Sequence, residues 1–242
     1  MFKRSFDLFF SIFLLIVLSP ILLIFSFLIW KQDFSSPFYI SKRVGKGEKE
    51  FNFFKFRSMI VNADSTGVVS TSSNDNRITP LGKIIRKYKI DELPQLANVL
   101  LGHMSIVGPR PNVINDVKIY TSKEKNLLNV RPGITDFSSI IFSDEGEILA
   151  DSDNPDLKYN QIIRPWKSRL GLFYINKNNL FIDVSLIFLT IVAIFNRQYV
   201  LEKISILLSN LGAKKDLIEI SKRNVELKPH FPPGSKKIVT ER

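Results

Sequence analysis

The residues in this chain that can do chemistry are carboxylates, hydroxyls and cations. Its 242 residues include no cysteine, which excludes thiolate nucleophiles, disulfides and cysteine-based zinc sites. Two histidines are too few for a multi-histidine metal cage. The leading candidate is the acidic pair Asp91 and Glu92, because the stretch before it, from Arg77 to Lys89, carries five cations and no acid.

An acidic pair beside many cations can hold a polyphosphate together with a divalent cation. Phosphoryl transfer requires alignment, neutralisation of the phosphate oxygens, and either a nucleophile or a base. An aspartate can be that nucleophile, because attack on phosphorus gives an acyl phosphate that is still reactive. The pair alone also fits a plainer interpretation as a helix cap or a solvated surface, and its residues leave both open.

Four further cations lie on predicted strands or stiff loops. Lys55 and Arg57 fall in a predicted β-hairpin over residues 37–59, where alternate residues share one face, so we expect their side chains to project side by side. Arg110 is flanked by prolines on both sides and must be extended. Arg131 precedes a Pro-Gly sequence that forms a second rigid turn.

The acidic pair lies at a predicted junction between two helices. One helix begins at Thr79, an N-cap residue followed by proline, and its apolar residues recur at helical spacing. A second short helix runs to Leu101 and ends at Gly102. Residues 143–160 are acidic and polar and are predicted to form a surface loop or helix.

Residues 8–30 form an uncharged, apolar segment of membrane composition. Cations both precede and follow it, so neither flank is the obvious translocated one. Ser19 and Pro20 lie at its middle, where proline removes a backbone donor and predicts a bend. Each arm would reach roughly 17 Å, about half of the hydrocarbon core. A re-entrant helix fits this pattern, and a spanning anchor with a proline kink is the alternative.

The rest of the chain offers less specific signals. A second apolar stretch, from Leu180 to Phe195, contains Asp183 and is too short to span a bilayer, which suits a helix in the interface or in a core. The net charge of +11 indicates an anionic partner, which could be nucleic acid, anionic lipid or a phosphorylated substrate. Charge alone does not choose among these three.

Seven short motifs stand in order along the first 200 residues. They are Lys3-Arg4-Ser5-Phe6-Asp7, Ser19-Pro20, Lys55-Phe56-Arg57-Ser58-Met59, Asn76-Arg77-Ile78-Thr79, Asp91-Glu92-Leu93-Pro94-Gln95-Leu96, Met104-Ser105-Ile106-Val107-Gly108-Pro109-Arg110-Pro111 and Pro132-Gly133-Ile134-Thr135. In order and spacing they resemble the bacterial sugar transferases. These are the monotopic phosphoglycosyl transferases that begin assembly of capsule, O-antigen, exopolysaccharide and glycoprotein glycans.

The resemblance implies transfer of a sugar 1-phosphate from a nucleotide sugar, usually a UDP-sugar, to polyprenol (undecaprenyl) phosphate, with release of UMP and a requirement for Mg²⁺. It implies that Asp91 is both a metal ligand and the nucleophile that forms a covalent phosphosugar intermediate. Glu92 would bind metal, orient groups or handle a proton. The phosphate ligands implied are Lys55, Arg57, Arg77 and Arg110. Arg131 is either a further phosphate ligand or part of an ordinary loop salt bridge.

The resemblance also implies that the protein lies at the cytoplasmic face of the bacterial inner membrane, in contact with lipid. The Ser19-Pro20 bend would then lie in a re-entrant helix. We therefore expect an α+β, mainly helical fold with a small β-hairpin and a cytosolic, interfacial catalytic domain. The expected domains are a membrane re-entrant helix at residues 1–36, a catalytic domain at 37–200 and a basic C-terminal extension at 201–242.

Two segments depart from the family pattern, and both lie where nucleotide or sugar could be touched. His103 stands where an Asp is common, although it also fits an ordinary surface residue beside a helix C-terminus. Residues 136–139 replace an expected Trp-Ala-Gln-rich stretch. The alternatives are a lipid-phosphate phosphatase, and a basic membrane-associated scaffold or nucleic-acid-binding protein without turnover. The sequence contains no helix-turn-helix or single-strand-binding signature, so we expect no nucleic-acid partner.

Overall fold

A computed structural model of the protein describes residues 2–67, 70–150 and 152–241. Helices make up most of it, with two small sheets of two strands each. The strands are β1 (Phe38–Val44), β2 (Glu50–Phe56), β3 (Ser105–Val107) and β4 (Gly133–Thr135). The helices are α1 (Phe2–Val17), α2 (Ser19–Asp33), α3 (Pro80–Lys87), α4 (Gln95–Leu100), α5 (Ile114–Lys118), α6 (Phe137–Ile141), α7 (Glu145–Ile148), α8 (Pro155–Lys158), α9 (Arg164–Lys177), α10 (Leu180–Ala193), α11 (Arg197–Asn210) and α12 (Lys215–Lys222). The prediction of a mainly helical fold with a β-hairpin is confirmed.

Helices α1 and α2 form a bent pair. The two helices are bent by 62° at a break of one residue, Leu18. Pro20 lies in the first turn of α2, where its missing N–H breaks no helical bond, and the Ser19 hydroxyl donates to the carbonyl of Ile16 at 2.8 Å. No single helix in the described ranges is long and apolar enough to cross a bilayer. The two helices of the bent pair together have the length and the apolar composition of a membrane span.

Charged residues of α1 attach the helix pair to the rest of the protein. Lys3 Nζ donates to Asp183 Oδ2 on α10 at 2.6 Å. Arg4 Nη1 donates at 2.7 Å to a carbonyl at the end of α4. Asp7 is buried, and its carboxylate accepts from the Ser105 hydroxyl at 2.8 Å. These residues therefore join α1 to the folded domain as well as flanking an apolar segment.

Strands β1 and β2 pair antiparallel, as the sequence predicts. Asn98 of α4 fastens the hairpin to the helices, because its amide accepts from the Phe54 N–H at 3.0 Å and donates to the Asn52 carbonyl at 2.6 Å. Strand β2 ends at Phe56, so Arg57 lies beyond the strand. The face alternation that holds within a strand therefore does not extend to Arg57.

Strands β3 and β4 form a short parallel pair that the sequence pattern does not predict. Gly108 and Gly133 allow this pairing, because a Cβ atom on Gly133 would lie 2.1 Å from the backbone nitrogen of Gly108. Arg110 follows β3 and Arg131 precedes β4. The two rigid arginine loops therefore border one small sheet.

The main hydrophobic core includes buried side chains of α6, α9, α10 and α11. Helix α10 confirms the predicted apolar helix and has two sides. Ile182, Leu186 and Leu189 are buried in the core, whereas Phe181 and Phe188 are exposed. The helix is thus embedded along one face only, which suits the edge of a domain.

Helix α11 crosses residue 200, where the sequence analysis places the end of the catalytic domain. Val200, Leu201 and Ile204 are all buried in the main core. The helix therefore packs as one continuous element on both sides of that position. Residues up to Ile220 of α12 belong to the same core cluster.

Candidate active site

A cavity of about 610 Å³ lies beside the acidic pair, a size that suits a small-molecule ligand. The hairpin, the junction between α3 and α4, the loop after β3 and the segment from α6 to α7 all contribute to it. Among the described residues that line it, eight are lysine or arginine and six are aspartate or glutamate. A lining with this many cations favours a ligand that carries several negative charges.

The backbone between α3 and α4 holds the acidic pair in place. Thr79 caps α3 by accepting from the Gly82 N–H at 2.9 Å, which confirms the predicted helix start. Lys89 adopts a left-handed φ of 55°, and the chain then makes one 3₁₀ turn, Ile90–Glu92. Asp91 is only 5% exposed on this turn. A non-glycine residue in a left-handed conformation beside a buried acid is typical of functional sites.

Lys55 and Arg110 enclose the acidic pair. Lys55 Nζ lies 3.4 Å from Asp91 Oδ2 and 3.6 Å from Glu92 Oε1. Arg110 Nη2 donates to Glu92 Oε1 at 2.6 Å, and its Nη1 donates to Glu92 Oε2 at 3.4 Å. This fork-to-fork geometry fixes the guanidinium as well as attracting it. Two of the predicted phosphate ligands therefore stand next to the acidic pair and line the cavity.

The cations of this cluster act on the charge state of Glu92. Burial raises the pKa of the Glu92 carboxyl, but the charges of Arg110, Lys55 and Lys89 outweigh burial and hold that pKa well below its ordinary value of 4.5. Burial, together with the charges of Arg110 and Arg86, also lowers the pKa of Lys55, although the charges of Asp91 and Glu92 raise it. The Lys55 ammonium is therefore poorly solvated, and an entering phosphate oxygen would stabilise it.

Arg57 does not join this cluster, so the expectation that it projects beside Lys55 is wrong. Because β2 ends one residue earlier, Arg57 turns away and donates to both carboxylate oxygens of Asp33, at 2.5 and 2.6 Å. Its Nε also donates to the carbonyl of Ser36 at 2.8 Å. These contacts join the end of α2 to the hairpin.

Arg77 and Arg131 also lie outside the cluster around the acidic pair. Arg77 forms an ion pair with Asp75 at 2.7 Å. Arg131 is exposed and donates from Nε to the carbonyl of Gly102 at 2.8 Å. Among the described residues, the cavity lining includes neither of these arginines nor Arg57. Their implied role in phosphate binding stays a prediction.

Two of the cations that line the cavity belong neither to the predicted phosphate ligands nor to the cation run of residues 77–89. Arg43 of β1 lies over the ring of Phe53, with its guanidinium carbon 5.6 Å from the ring centre, and burial lowers its pKa. Strand alternation could have found it, because the hairpin register places Arg43 on the same face as Lys55. Lys167 of α9 forms an ion pair with Glu145, and no local pattern links that helix to the acidic pair.

The two departures from the family pattern differ in their relation to the cavity. Asp136 caps α6 by accepting from the Ser139 N–H at 2.7 Å, and Ser139 lines the cavity. His103 is exposed, lies 5.6 Å from Phe51 between ring centres, and is not among the lining residues that the structure describes. Of the two, the segment at 136–139 is the one that borders the site.

A family model described as bacterial sugar transferase matches residues 1–197. The chain belongs to this family. It is 33% identical over 192 residues to a protein of Aeromonas hydrophila named UDP-N-acetylgalactosamine-undecaprenyl-phosphate N-acetylgalactosaminephosphotransferase. That alignment covers 78% of this chain and 42% of the Aeromonas protein.

Of two further relatives, one names N-acetylgalactosamine again and the other names glucose. A Bacillus subtilis protein named putative undecaprenyl-phosphate N-acetylgalactosaminyl 1-phosphate transferase is 41% identical over 133 residues, covering 55% of this chain and 70% of that protein. An undecaprenyl-phosphate glucose phosphotransferase of Komagataeibacter xylinus is 37% identical over 197 residues, covering 78% of this chain and 35% of that protein. This bacterial sugar transferase thus spans less than half the length of the Aeromonas and Komagataeibacter relatives.

The donor set at the acidic pair of this bacterial sugar transferase fits Mg²⁺. Magnesium is usually bound through one or two carboxylates, substrate phosphates and several waters. Asp91 and Glu92 supply two such carboxylates beside a cavity that is lined by cations. Within the described ranges, no group of three or more His, Asp or Glu side chains is placed to hold a metal ion. A magnesium ion here would therefore need a bound phosphate to supply some of its ligands.

Proposed function

We propose that this bacterial sugar transferase moves a sugar 1-phosphate from a UDP-sugar to polyprenol (undecaprenyl) phosphate and releases UMP. The family supports a sugar transfer, and the names of similar proteins support the acceptor, because they include undecaprenyl phosphate. The product would be a sugar linked to the lipid through a diphosphate. Such a transfer would be the first membrane step in building a capsule, an O-antigen, an exopolysaccharide or a glycoprotein glycan.

The observation that carries this proposal is a buried aspartate on a cation-rich cavity. Asp91 has 5% of its surface exposed, and its nearest cation, Lys55, is 3.4 Å away. Glu92 is held by Arg110 at 2.6 Å, so the neighbouring acid is already neutralised. A carboxylate placed in this way can approach a phosphorus atom whose oxygens are bound by lysine and arginine.

The reaction would proceed in two displacements at one phosphorus atom. A carboxylate oxygen of Asp91 attacks the phosphorus that bears the sugar, and the bond from that phosphorus to the bridging oxygen breaks. The bridging oxygen leaves with the electron pair as part of UMP. An oxygen of polyprenol phosphate then attacks the same phosphorus, and the Asp91 carboxylate leaves unchanged. Both steps conserve the sugar–oxygen–phosphorus linkage.

The cations beside Asp91 would neutralise the charge that develops on the transferred phosphoryl group. Lys55 touches both acids and lines the cavity, so its ammonium can reach a phosphate oxygen. Glu92 would orient Arg110 through their two-point pair. Mg²⁺ held by Asp91 and Glu92 would add charge neutralisation at the phosphates.

We further propose that α1 and α2 form a re-entrant hairpin in the cytoplasmic leaflet of the inner membrane. Each arm is 15 or 16 residues long, about 24 Å or less, and the bend at Leu18 turns the second arm away from the first. Both arms expose large apolar side chains, including Phe9, Ile16, Leu23 and Phe27. Lipid would cover these side chains and hold the cavity near the acceptor phosphate.

The proposal is tested by replacing the nucleophile. Asp91→Asn is expected to abolish UMP release from UDP-sugar, because an amide oxygen is a poor nucleophile and carries no charge. The matched control is Asp153→Asn, an exposed acid outside the cavity lining, which is expected to keep wild-type activity. Most of the activity surviving in Asp91→Asn would refute the assignment. Release of inorganic phosphate instead of UMP would indicate a phosphatase.

A further inference from the structure

One side of the cavity is formed by residues 139–147, which we call the wall. It comprises the end of α6, the start of α7 and the link between them. The wall contains three acids and no cation, whereas eight cations contribute to the described lining from other segments. Ser139, Ser143 and Glu145 line the cavity from this side. Carboxylates repel phosphate, whereas carboxylates and hydroxyls both suit hydrogen bonding to sugar hydroxyls.

The wall borders the turn that carries the acidic pair. Lys89, two residues before Asp91, donates from Nζ to the carbonyl of Ser139 at 3.3 Å. Glu145 of the wall forms an ion pair with Lys167, and both side chains line the cavity. In the proposed reaction the sugar is joined through a single oxygen to the phosphorus that Asp91 attacks. The sugar is therefore the uncharged part of the donor that lies nearest to this turn.

Two arginines, Arg197 at the start of α11 and Arg223 at the end of α12, hold the wall from outside the cavity. Arg197 Nη2 and Arg223 Nη2 both lie 2.9 Å from carboxylate oxygens of Asp144. Arg197 also donates to the Ser143 hydroxyl at 3.0 Å and to the carbonyl of Ile141 at 3.0 Å. Neither arginine is among the described residues that line the cavity, so both act on it through the wall.

Arg223 shows that the C-terminal part of the chain contributes to this wall. It lies beyond residues 1–197, which the family model matches. It caps α12 in a left-handed conformation with φ of 55°, where glycine is the usual residue. Its guanidinium carbon lies 5.4 Å from the ring centre of Phe142, which lines the cavity. The Arg223 side chain, which a glycine at this position would lack, contacts Asp144 and Phe142 of the wall.

We infer that the wall binds the transferred sugar and that Arg223 is a positioning residue for donor recognition. This inference rests on the proposed function, because it takes the sugar to be next to the phosphorus that Asp91 attacks. Without Arg223 the wall would lose one of the two ion pairs that hold Asp144 and would shift relative to the acidic pair. The phosphate ligands Lys55 and Arg110 belong to other elements and keep their positions. The sugar should therefore bind less well, while the nucleotide product binds as before.

The experiment compares Arg223→Gln with wild type in three measurements on the full chain. We expect the KM for UDP-sugar to rise about tenfold and kcat to change less than about threefold, because the contact acts on ground-state binding of the sugar. The inhibition constant of UMP is expected to stay within about twofold of wild type, because UMP lacks the sugar. Lys222→Gln is the matched control, since Lys222 is a partly exposed neighbour that forms an ion pair with Glu219 on the surface of α12.

Two further variants keep the test decisive if Arg223→Gln folds poorly. Arg223→Lys keeps the charge and loses the planar fork, so it is expected to recover part of the lost donor affinity. Arg197→Gln removes the second contact to Asp144 from a different helix and is expected to raise the same KM. Thermal unfolding of each variant identifies the properly folded ones before kinetics are compared.

An unchanged donor KM in folded Arg223→Gln and Arg197→Gln would overturn the inference. An equal loss of UDP-sugar and UMP affinity would also overturn it, because the wall would then hold the nucleotide. Failure of the proposed function is a separate result. It would appear in wild type as product formation without a phosphosugar on Asp91, whatever the Arg223 variants do.

Discussion

Asp91 and Glu92 are adjacent in sequence but have different surroundings, and this difference assigns them different tasks. Glu92 is held at two points by Arg110 and also faces Lys55 at 3.6 Å. Asp91 has a longer contact, 3.4 Å, to Lys55. A nucleophile must leave its ion pair to attack, so a loosely paired carboxylate suits that role better than a doubly bound one. The geometry therefore favours Asp91 as the nucleophile and Glu92 as the residue that orients Arg110.

The pair between Glu92 and Arg110 predicts a pH-dependent contribution to stability. The pKa of Glu92 is lowered in the folded state, so its contribution is fully present above the ordinary value of 4.5 and is lost as pH falls below it. Glu92→Gln is expected to lower the free energy of unfolding at pH 7 by about 2 kcal/mol, because Arg110 loses a charged partner. The gap between Glu92→Gln and wild type in the free energy of unfolding is expected to narrow between pH 4.5 and pH 3.

Urea unfolding of detergent-solubilised protein in metal-free buffer measures this gap at each pH. Glu226→Gln is the matched control, because Glu226 is an exposed residue of the C-terminal tail. The control is expected to follow wild type at every pH. A gap between Glu92→Gln and wild type that stays constant from pH 7 to pH 3 would contradict the lowered pKa.

At the scale of elements, the hairpin serves two different functions through neighbouring cations. Lys55 lies within β2 and points to the acidic pair, whereas Arg57 lies after the strand and holds Asp33 at the end of α2. One residue thus contributes to the site and the other to the joint between the helix pair and the domain. Their motif places them together in sequence, but the end of the strand separates them in space.

This division predicts unequal effects of two alanine substitutions. Lys55→Ala is expected to lower kcat/KM for UDP-sugar by about 100-fold, the scale seen when one group that stabilises the transition state is removed. Arg57→Ala is expected to stay within about threefold of wild-type kcat/KM and to lower the thermal midpoint instead. Steady-state UMP release and thermal unfolding measure the two effects. A larger kinetic loss in folded Arg57→Ala than in Lys55→Ala would contradict this division of roles.

The bent helix pair makes a separate prediction about topology. The chain has no cysteine, so a single introduced cysteine reports its own side of the membrane. Phe2→Cys marks the exposed start of α1, and Lys42→Cys marks the exposed face of β1. If the pair is re-entrant, a membrane-impermeant maleimide will label neither cysteine in intact spheroplasts and both after lysis. Labelling of Phe2→Cys alone in intact spheroplasts would show that the pair spans the membrane.

At the scale of the whole molecule, local patterns predicted the parts of the site that depend on local rules. The cap at Thr79, the hairpin and the proline-flanked Arg110 follow from residue propensities, and they place the acidic pair correctly at a helix junction. The apolar N-terminal helix pair and α10 follow from the apolar length of their segments. Asp91, Glu92, Lys55 and Arg110 could be placed in this way because each lies on or beside a short, well-defined element, whereas their roles in the reaction are implied by the family resemblance.

The remaining features of the fold and the site depend on tertiary packing, which local sequence patterns do not predict. The pairing of β3 with β4 depends on a close approach of Gly108 and Gly133, which are distant in sequence. Lys167 reaches the cavity from α9, and Arg223 reaches its wall from α12. The expected boundary at residue 200 could not anticipate that α11 continues through it into the main core. Contacts between distant segments therefore set the far side of the cavity.

The central claim is that Asp91 carries the phosphosugar during turnover. The most direct test incubates the full chain with UDP-sugar in the absence of polyprenol phosphate and then measures the mass of its peptides. We expect a mass gain of one phosphosugar on the peptide that contains Asp91, its loss on addition of polyprenol phosphate, and no gain in Asp91→Asn. Lipid-linked product that accumulates without any mass gain on Asp91 would contradict the claim.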